Sequence, residues 1–108
     1  MDDLEIVKLC ADEMGIDVTL QNYRGTIQRY YFMDGRVQME YNPLFIDEQC
    51  FALIKRFGLD IEAPSEMTGT QWEVYKQEHI TGKPIGTSTS TDLNRAICLC
   101  VAQLRKPA

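Results

Sequence analysis

The residues best suited to chemistry lie together in the segment GTSTSTDLNRAICLC, which covers positions 86 to 100. It opens with a glycine and five hydroxyl residues, namely Gly86, Thr87, Ser88, Thr89, Ser90 and Thr91. Free backbone N–H groups at the start of a helix favour anions, and Arg95, one turn into the predicted helix, could add positive charge. The segment lacks the second glycine and the lysine of a nucleotide-binding P-loop. A hydroxyl of Ser90 or Thr91 that caps the helix explains the same composition. Anion binding and helix capping both stay open.

The four cysteines do not form a recognisable metal or catalytic motif. Cys98 and Cys100 are two residues apart on a predicted helix, so their side chains point about 200° apart and cannot share an ion. Thiol catalysis would need His79, the single histidine, beside a reactive thiol. Cys10 and Cys50, like the other two, occupy apolar positions of predicted helices, which indicates buried, reduced and unreactive thiols. We therefore expect no metal, no cofactor and no enzymatic activity.

The net charge of −5 is concentrated at the N-terminus. Residues 1–17 contain six acidic residues and one lysine, so the remainder of the chain is neutral. No cluster of lysine and arginine is present, and we do not expect nucleic-acid binding. The acidic first helix is either a solvated surface or a contact for a basic partner. The residues that would form this contact are Asp2, Asp3, Glu5, Asp12 and Glu13.

The length and the apolar pattern indicate one domain, 1–108, without a membrane span or a secretory signal. The longest apolar run, 96–102, is far too short to cross a bilayer. We expect a cytoplasmic protein.

Three helices are predicted from apolar spacing and capping residues. The first covers about 3–14, with Asp2 as its cap and Gly15 after its end. The second begins near Asp47 as its cap and closes at Gly58. The third covers about 92–105 and is apolar around most of its circumference. It is therefore either the central helix of the fold, or its outer side, including Leu99, contacts another copy of the chain.

Two strands joined by Asp34-Gly35 form the clearest local pattern. A two-residue loop at these positions pairs Phe32 with Val37 and Tyr30 with Met39. Trp72 opens a third strand, and 79–90 reads as a loop because of its glycines and proline. The order α-β-β-α-β-α predicts an α+β fold in which helices pack on a small three-stranded antiparallel or mixed sheet, an α-β-α sandwich.

The chain resembles the phage ABA sandwich domains, a family of small bacteriophage and prophage proteins. The resemblance rests on YNPL (41–44), DEQCFALIKRFGLDI (47–61), the strand opened by Trp72, and GTSTSTDLNRAICLCVAQL (86–104). It implies a phage or prophage origin, an α-β-α fold and residence in the host cytoplasm, and it implies no particular activity.

The resulting expectation is an accessory protein that works by binding a host or phage protein, without catalysis. The alternatives are a small-anion or nucleotide-binding protein that uses the segment 86–92, with a counter-defence role as one possibility, and a homo-oligomeric structural protein.

Overall fold

The computed structural model describes residues 1–66, 69–77, 82 and 84–104. Three helices and six strands follow one another along the chain: α1 (Asp3–Met14), β1 (Thr19–Tyr23), β2 (Ile27–Asp34), β3 (Val37–Glu40), α2 (Asp47–Phe57), β4 (Asp60–Glu62), β5 (Trp72–Gln77), β6 (Pro84–Ser90) and α3 (Leu93–Gln103). The strands form two antiparallel sheets with the orders β1-β2-β3 and β4-β5-β6. We call them the first sheet and the second sheet. The α+β class expected from the sequence is confirmed, with two three-stranded sheets where one was expected.

Helix α3 is the centre of the fold, because it contacts α1, α2, β5 and β6. Its residues Ala96, Ile97, Cys98, Cys100, Val101 and Ala102 are all buried. Of the two alternatives for this mostly apolar helix, the central position is the one observed. The core around α3 is completed by Ile6 and Cys10 of α1, Leu53 of α2 and Val74 of β5.

The second sheet approaches α3 closely because β6 presents small residues to it. Gly86 and Ser88 are buried, while Thr87 and Thr89 between them are exposed. A Cβ atom at Gly86 would lie 3.0 Å from Leu104 Cδ2 and 3.3 Å from the Cys100 carbonyl oxygen. The glycine is therefore required by helix–strand packing and not by a turn.

The first sheet contacts α1 through β2 and is only partly buried. Tyr30 and Phe32 of β2 pack against the core, and the ring of Phe32 meets that of Tyr41 edge-on at 6.1 Å. The face that carries these residues lies on α1 and on the start of α2 near the base of the β2–β3 hairpin. The opposite face of the sheet carries Ile27 and Met33, both of which are exposed.

Both ends of α1 and the Gly58 end of α2 agree with the sequence, whereas the N-terminal caps of α2 and α3 differ. Asp2 caps α1 by accepting a hydrogen bond from the Glu5 N–H at 2.8 Å, and Gly15 ends it in the left-handed conformation. The expected capping role of Asp47 is wrong, since Ile46 precedes α2 and Asp47 instead accepts a hydrogen bond from Asn94 Nδ2 at 2.9 Å. Neither Ser90 nor Thr91 caps α3: Asp92 does, by accepting from the Asn94 N–H.

The strand predictions need two corrections. Residues 84–90, expected to be part of a loop, form β6, because its hydrogen bonds to β5 do not require apolar side chains. The hairpin register is shifted by two residues, so that Phe32 pairs with Met39 and Asp34 with Val37. The loop consists of Gly35 and Arg36, and only Gly35 has a positive φ (65°), which fits a turn of type II′ and not I′. A shift of two preserves the side-chain faces.

Candidate binding surface

The hydroxyl-rich segment 86–91 serves the packing of β6 on α3 in this structure. The Ser88 hydroxyl donates to the carbonyl oxygen of Ala96, and the Thr87 N–H donates to Gln103 Oε1 at 3.2 Å. Ser90 Oγ accepts a hydrogen bond from the Asp92 N–H at 3.1 Å. The side chains of Thr87, Thr89 and Thr91 remain exposed on the outer side of the strand. The residues proposed for anion binding therefore lie along a strand, and half of them face the helix.

Arg95, the cation proposed for that segment, binds a carboxylate of α1. Its Nη1 atom lies 2.8 Å from Asp3 Oδ1, with both side chains partly exposed. The contact joins α3 to the start of α1. His79 and Lys83, which could have added charge, lie outside the described residues.

The acidic residues of α1 have several structural roles. Asp2 caps the helix, Asp3 holds Arg95, and Asp12 binds Lys8 at 2.8 Å one turn away. The Glu5 side chain is exposed and Glu13 is partly buried. Leu99, proposed as an oligomer contact, is half-buried and packs against the core.

Three of the four buried cysteines surround the phenol of Tyr41. The thiols donate to backbone carbonyls, with Cys10 Sγ 3.5 Å from the Cys98 oxygen and Cys50 Sγ 3.9 Å from the Asn94 oxygen. Hydrogen bonding with the Cys10 and Cys50 thiols, together with burial, raises the pKa of Cys98. Burial raises the pKa of Tyr41 and that of Cys100, the latter to about 11. All four cysteines are free, as expected, and within the described residues no cluster of His, Cys, Asp and Glu has the arrangement of a metal site.

The first sheet carries an exposed apolar surface that the sequence did not single out. Met33 is 62% exposed and Val37 is 61% exposed, one on each face of the hairpin tip. Leu20, Ile27 and Met39 on the same sheet are exposed as well. Together they are five of the nine large exposed apolar residues in the described part of the chain. The sequence of β2 could have revealed part of this surface, because its run of consecutive apolar and aromatic residues, 30–33, gives the hairpin apolar residues on both faces.

A groove of about 560 Å³ lies between the first sheet and α2. We call it the β3–α2 groove. Its apolar lining consists of Met14, Ile16, Phe32, Met39, Ile46 and Ala52. Three carboxylates also line it, those of Asp34, Glu40 and Glu48, and no lysine or arginine is among the described residues of its lining. Glu40 is partly neutralised by Arg29, whose Nη1 atom is 3.3 Å from Glu40 Oε1.

One side chain of α2 bonds to the backbone of the chain where β3 ends. Gln49 Nε2 donates to the Glu40 carbonyl oxygen at 2.7 Å, and Gln49 Oε1 accepts from the Asn42 N–H at 2.6 Å. The two bonds join α2 to the end of β3, and Glu40 and Gln49 both line the β3–α2 groove.

No protein-family model, curated protein or solved structure matches the chain. Within the described ranges, none of the helices has the length and apolar character needed to cross a membrane.

Proposed function

We propose that this chain is a binding protein that acts through the first sheet, without catalysis. The observation that supports the proposal is the set of exposed apolar residues on this sheet, with Leu20, Val37 and Met39 on the face that carries Phe32, and Ile27 and Met33 on the opposite face. Clustered exposed apolar residues are typical of protein interaction sites, whereas isolated ones are normal on any surface. The first sheet is thus the surface that we propose a partner covers.

The expected gain from covering this surface is large enough to support binding. Full burial of a valine, leucine or methionine side chain contributes roughly 1.5–3 kcal/mol, so burying the exposed half of each would contribute about 1 kcal/mol. Met33 and Val37 lie at the tip of the hairpin, and none of the described helices buries them. A partner that covers the tip would therefore make contacts that the chain cannot make with itself.

The biological setting that we propose is a bacteriophage or prophage, with a host or phage protein as the partner. The support is the resemblance of 41–61, the strand opened by Trp72, and 86–104 to the phage ABA sandwich domains. The protein would then be an accessory protein in the host cytoplasm.

The test compares proteins captured from a bacterial lysate by three immobilised variants. The first is the wild type, the second is Met33→Lys/Val37→Lys, and the third is the control Phe51→Lys/Ile61→Lys, which changes two exposed apolar residues outside the first sheet. Quantitative mass spectrometry should find a protein that the wild type and the control capture and that the hairpin variant loses. Equal capture by all three variants, or equal loss with the control, would contradict the proposal. Light scattering of the same samples reports whether the captured partner is a second copy of the chain.

A further inference from the structure

The outer edge of β3 carries backbone groups that point away from β2. The Tyr41 N–H donates to the Tyr30 carbonyl oxygen at 2.9 Å, which identifies this pair as hydrogen-bonded. In an antiparallel ladder hydrogen-bonded and non-hydrogen-bonded pairs alternate, so the pairs Phe32–Met39 and Asp34–Val37 bond inward. The N–H and C=O groups of Gln38 and Glu40 therefore point outward, toward the β3–α2 groove.

Gln49 already pairs with part of this edge in the manner of a neighbouring strand. Its amide donates to the carbonyl of Glu40 and accepts from the N–H of Asn42, on either side of Tyr41. A residue of a parallel strand uses the same pair of groups. The edge continues past Gln49 to the outward N–H and C=O of Gln38, which is an exposed residue and also lines the groove. An added strand could continue the hydrogen bonding that Gln49 begins.

The side-chain environment of this edge selects a particular kind of segment. Alternate residues of an added strand point to opposite sides. One set would enter the apolar lining around Phe32, Met39 and Ala52, which the carboxylates of Asp34 and Glu48 flank on the same side. The other set would point to the opposite face of the sheet, beside the carboxylate of Glu40. Because the described lining of the groove has three carboxylates and neither lysine nor arginine, positive charge in the occupant is favoured.

We propose that the β3–α2 groove binds an extended segment of the partner protein in which apolar residues alternate with lysine or arginine. The segment pairs with the outer edge of β3 through the backbone of Gln38 and places its apolar side chains on Met39 and Ala52. Binding by strand addition obtains affinity from backbone hydrogen bonds and selectivity from alternate side chains. The inference rests on the proposed function and names the chemistry of the partner.

The experiment titrates the ¹⁵N-labelled protein with an acetylated and amidated peptide of four Lys-Val repeats, followed by NMR. Two control peptides are used: Glu-Val repeats, and the Lys-Val peptide with alternate amides N-methylated so that one edge cannot donate hydrogen bonds. The amides of Gln38, Met39 and Glu40 should shift together, and both control peptides should bind at least about tenfold more weakly. Shifts confined to the acidic start of α1 would overturn the proposal, as would equal binding of the three peptides.

Two variants test the edge and the charge separately. Gln38→Pro removes an outward N–H without breaking a bond to β2 and should weaken Lys-Val binding about tenfold. Its control is Asn22→Pro on the opposite edge of the first sheet, where the register also places the N–H outward. Glu48→Lys should weaken binding about threefold or more, and Glu5→Lys, also in the first turn of a helix, is its control. Equal effects of a variant and its control would overturn the proposal.

The same variants separate this inference from the proposed function. If Met33→Lys/Val37→Lys abolishes capture of the lysate partner while Gln38→Pro and Glu48→Lys leave it unchanged, the first sheet is a binding surface and the strand-addition inference is wrong. If all of them leave capture unchanged, both are wrong. Light scattering could also show that the wild type is a dimer and that Gln38→Pro is a monomer. That result would identify pairing of β3 between two copies of the chain and would overturn the inference.

Discussion

Tyr41→Phe should stabilise this protein, although it removes a polar group from a packed core. Tyr41 is 2% exposed, and its Oη atom is buried without a hydrogen-bond partner among the residues that the structure describes. An unpaired buried hydroxyl loses its hydration on folding and gains nothing in return. Phenylalanine keeps the ring and its edge-on contact with Phe32 and removes only that oxygen.

The expected gain follows from the cost of leaving a buried hydroxyl unpaired. That cost is about 1–3 kcal/mol in proteins, and removal of the oxygen leaves a small void that returns part of it. We expect the free energy of unfolding to rise by about 1 kcal/mol, which corresponds to an increase in Tm of roughly 4 °C for a chain of this size.

Urea denaturation at pH 7, followed by circular dichroism, measures this change. Tyr75→Phe is the matched control, because the Tyr75 hydroxyl is outside the core and donates to Glu62 at 3.4 Å, so its loss should change stability by less than about 0.5 kcal/mol. A Tyr41→Phe variant that is less stable than the wild type by about 0.5 kcal/mol or more would refute the reasoning. It would mean that the hydroxyl is hydrogen-bonded in solution.

Three further perturbations test the packing and the ionisation of the core. Gly86→Ala should lower the free energy of unfolding by about 1–3 kcal/mol in urea denaturation. The added Cβ would lie 3.3 Å from the Cys100 carbonyl oxygen, which belongs to the helix backbone and cannot move aside. An unchanged midpoint would contradict the close packing of β6 on α3. Gln49→Ala should lower the free energy of unfolding by about 1–2 kcal/mol, measured by thermal denaturation, because it leaves the Glu40 carbonyl and the Asn42 N–H without the bonds that Gln49 makes. The control Glu48→Ala changes a neighbouring exposed side chain and should have little effect. The free energy of unfolding should fall between pH 9 and 11, by up to about 1.4 kcal/mol per pH unit for Cys100. The pKa of Cys100 is raised from 9.0 to about 11 in the folded protein, so the unfolded chain loses this proton first. A urea midpoint that stays constant over this range would show that the thiol is not buried.

The elements that the sequence predicted best are those whose ends are determined locally. Asp2 and Gly15 set the limits of α1, and Gly58 that of α2, because capping needs only the residues next to the helix. The faces of the β2–β3 hairpin were also predictable, but its register was not, since either Asp34-Gly35 or Gly35-Arg36 can form the loop.

The strands that were missed lack apolar alternation. β6 turns Gly86 and Ser88 toward α3, and a small-residue face is visible only once the helix is in place. β4 is three residues long, and β1 carries few apolar residues. Strand pairing, not side-chain pattern, defines these three elements.

The candidate surface depends on tertiary arrangement in the same way. Alternation indicates that Met33 and Val37 lie on opposite faces, but the number of helices that cover each face decides whether they are exposed. The pairing of Gln49 with the end of β3 joins residues of a helix and a strand across a loop, and its geometry cannot be derived from spacing. The sequence pointed instead to 86–91 and to the acidic α1, whose side chains are largely used for capping, pairing and packing.

Hydrogen–deuterium exchange of the chain, alone and bound to the partner captured from the lysate, tests the central claim most directly. Our account predicts slower exchange in the first sheet, above all at 33–40, with the second sheet unchanged. Protection of 86–92 or of the start of α1, with the first sheet exchanging as in the free chain, would contradict the claim that the first sheet is the binding surface.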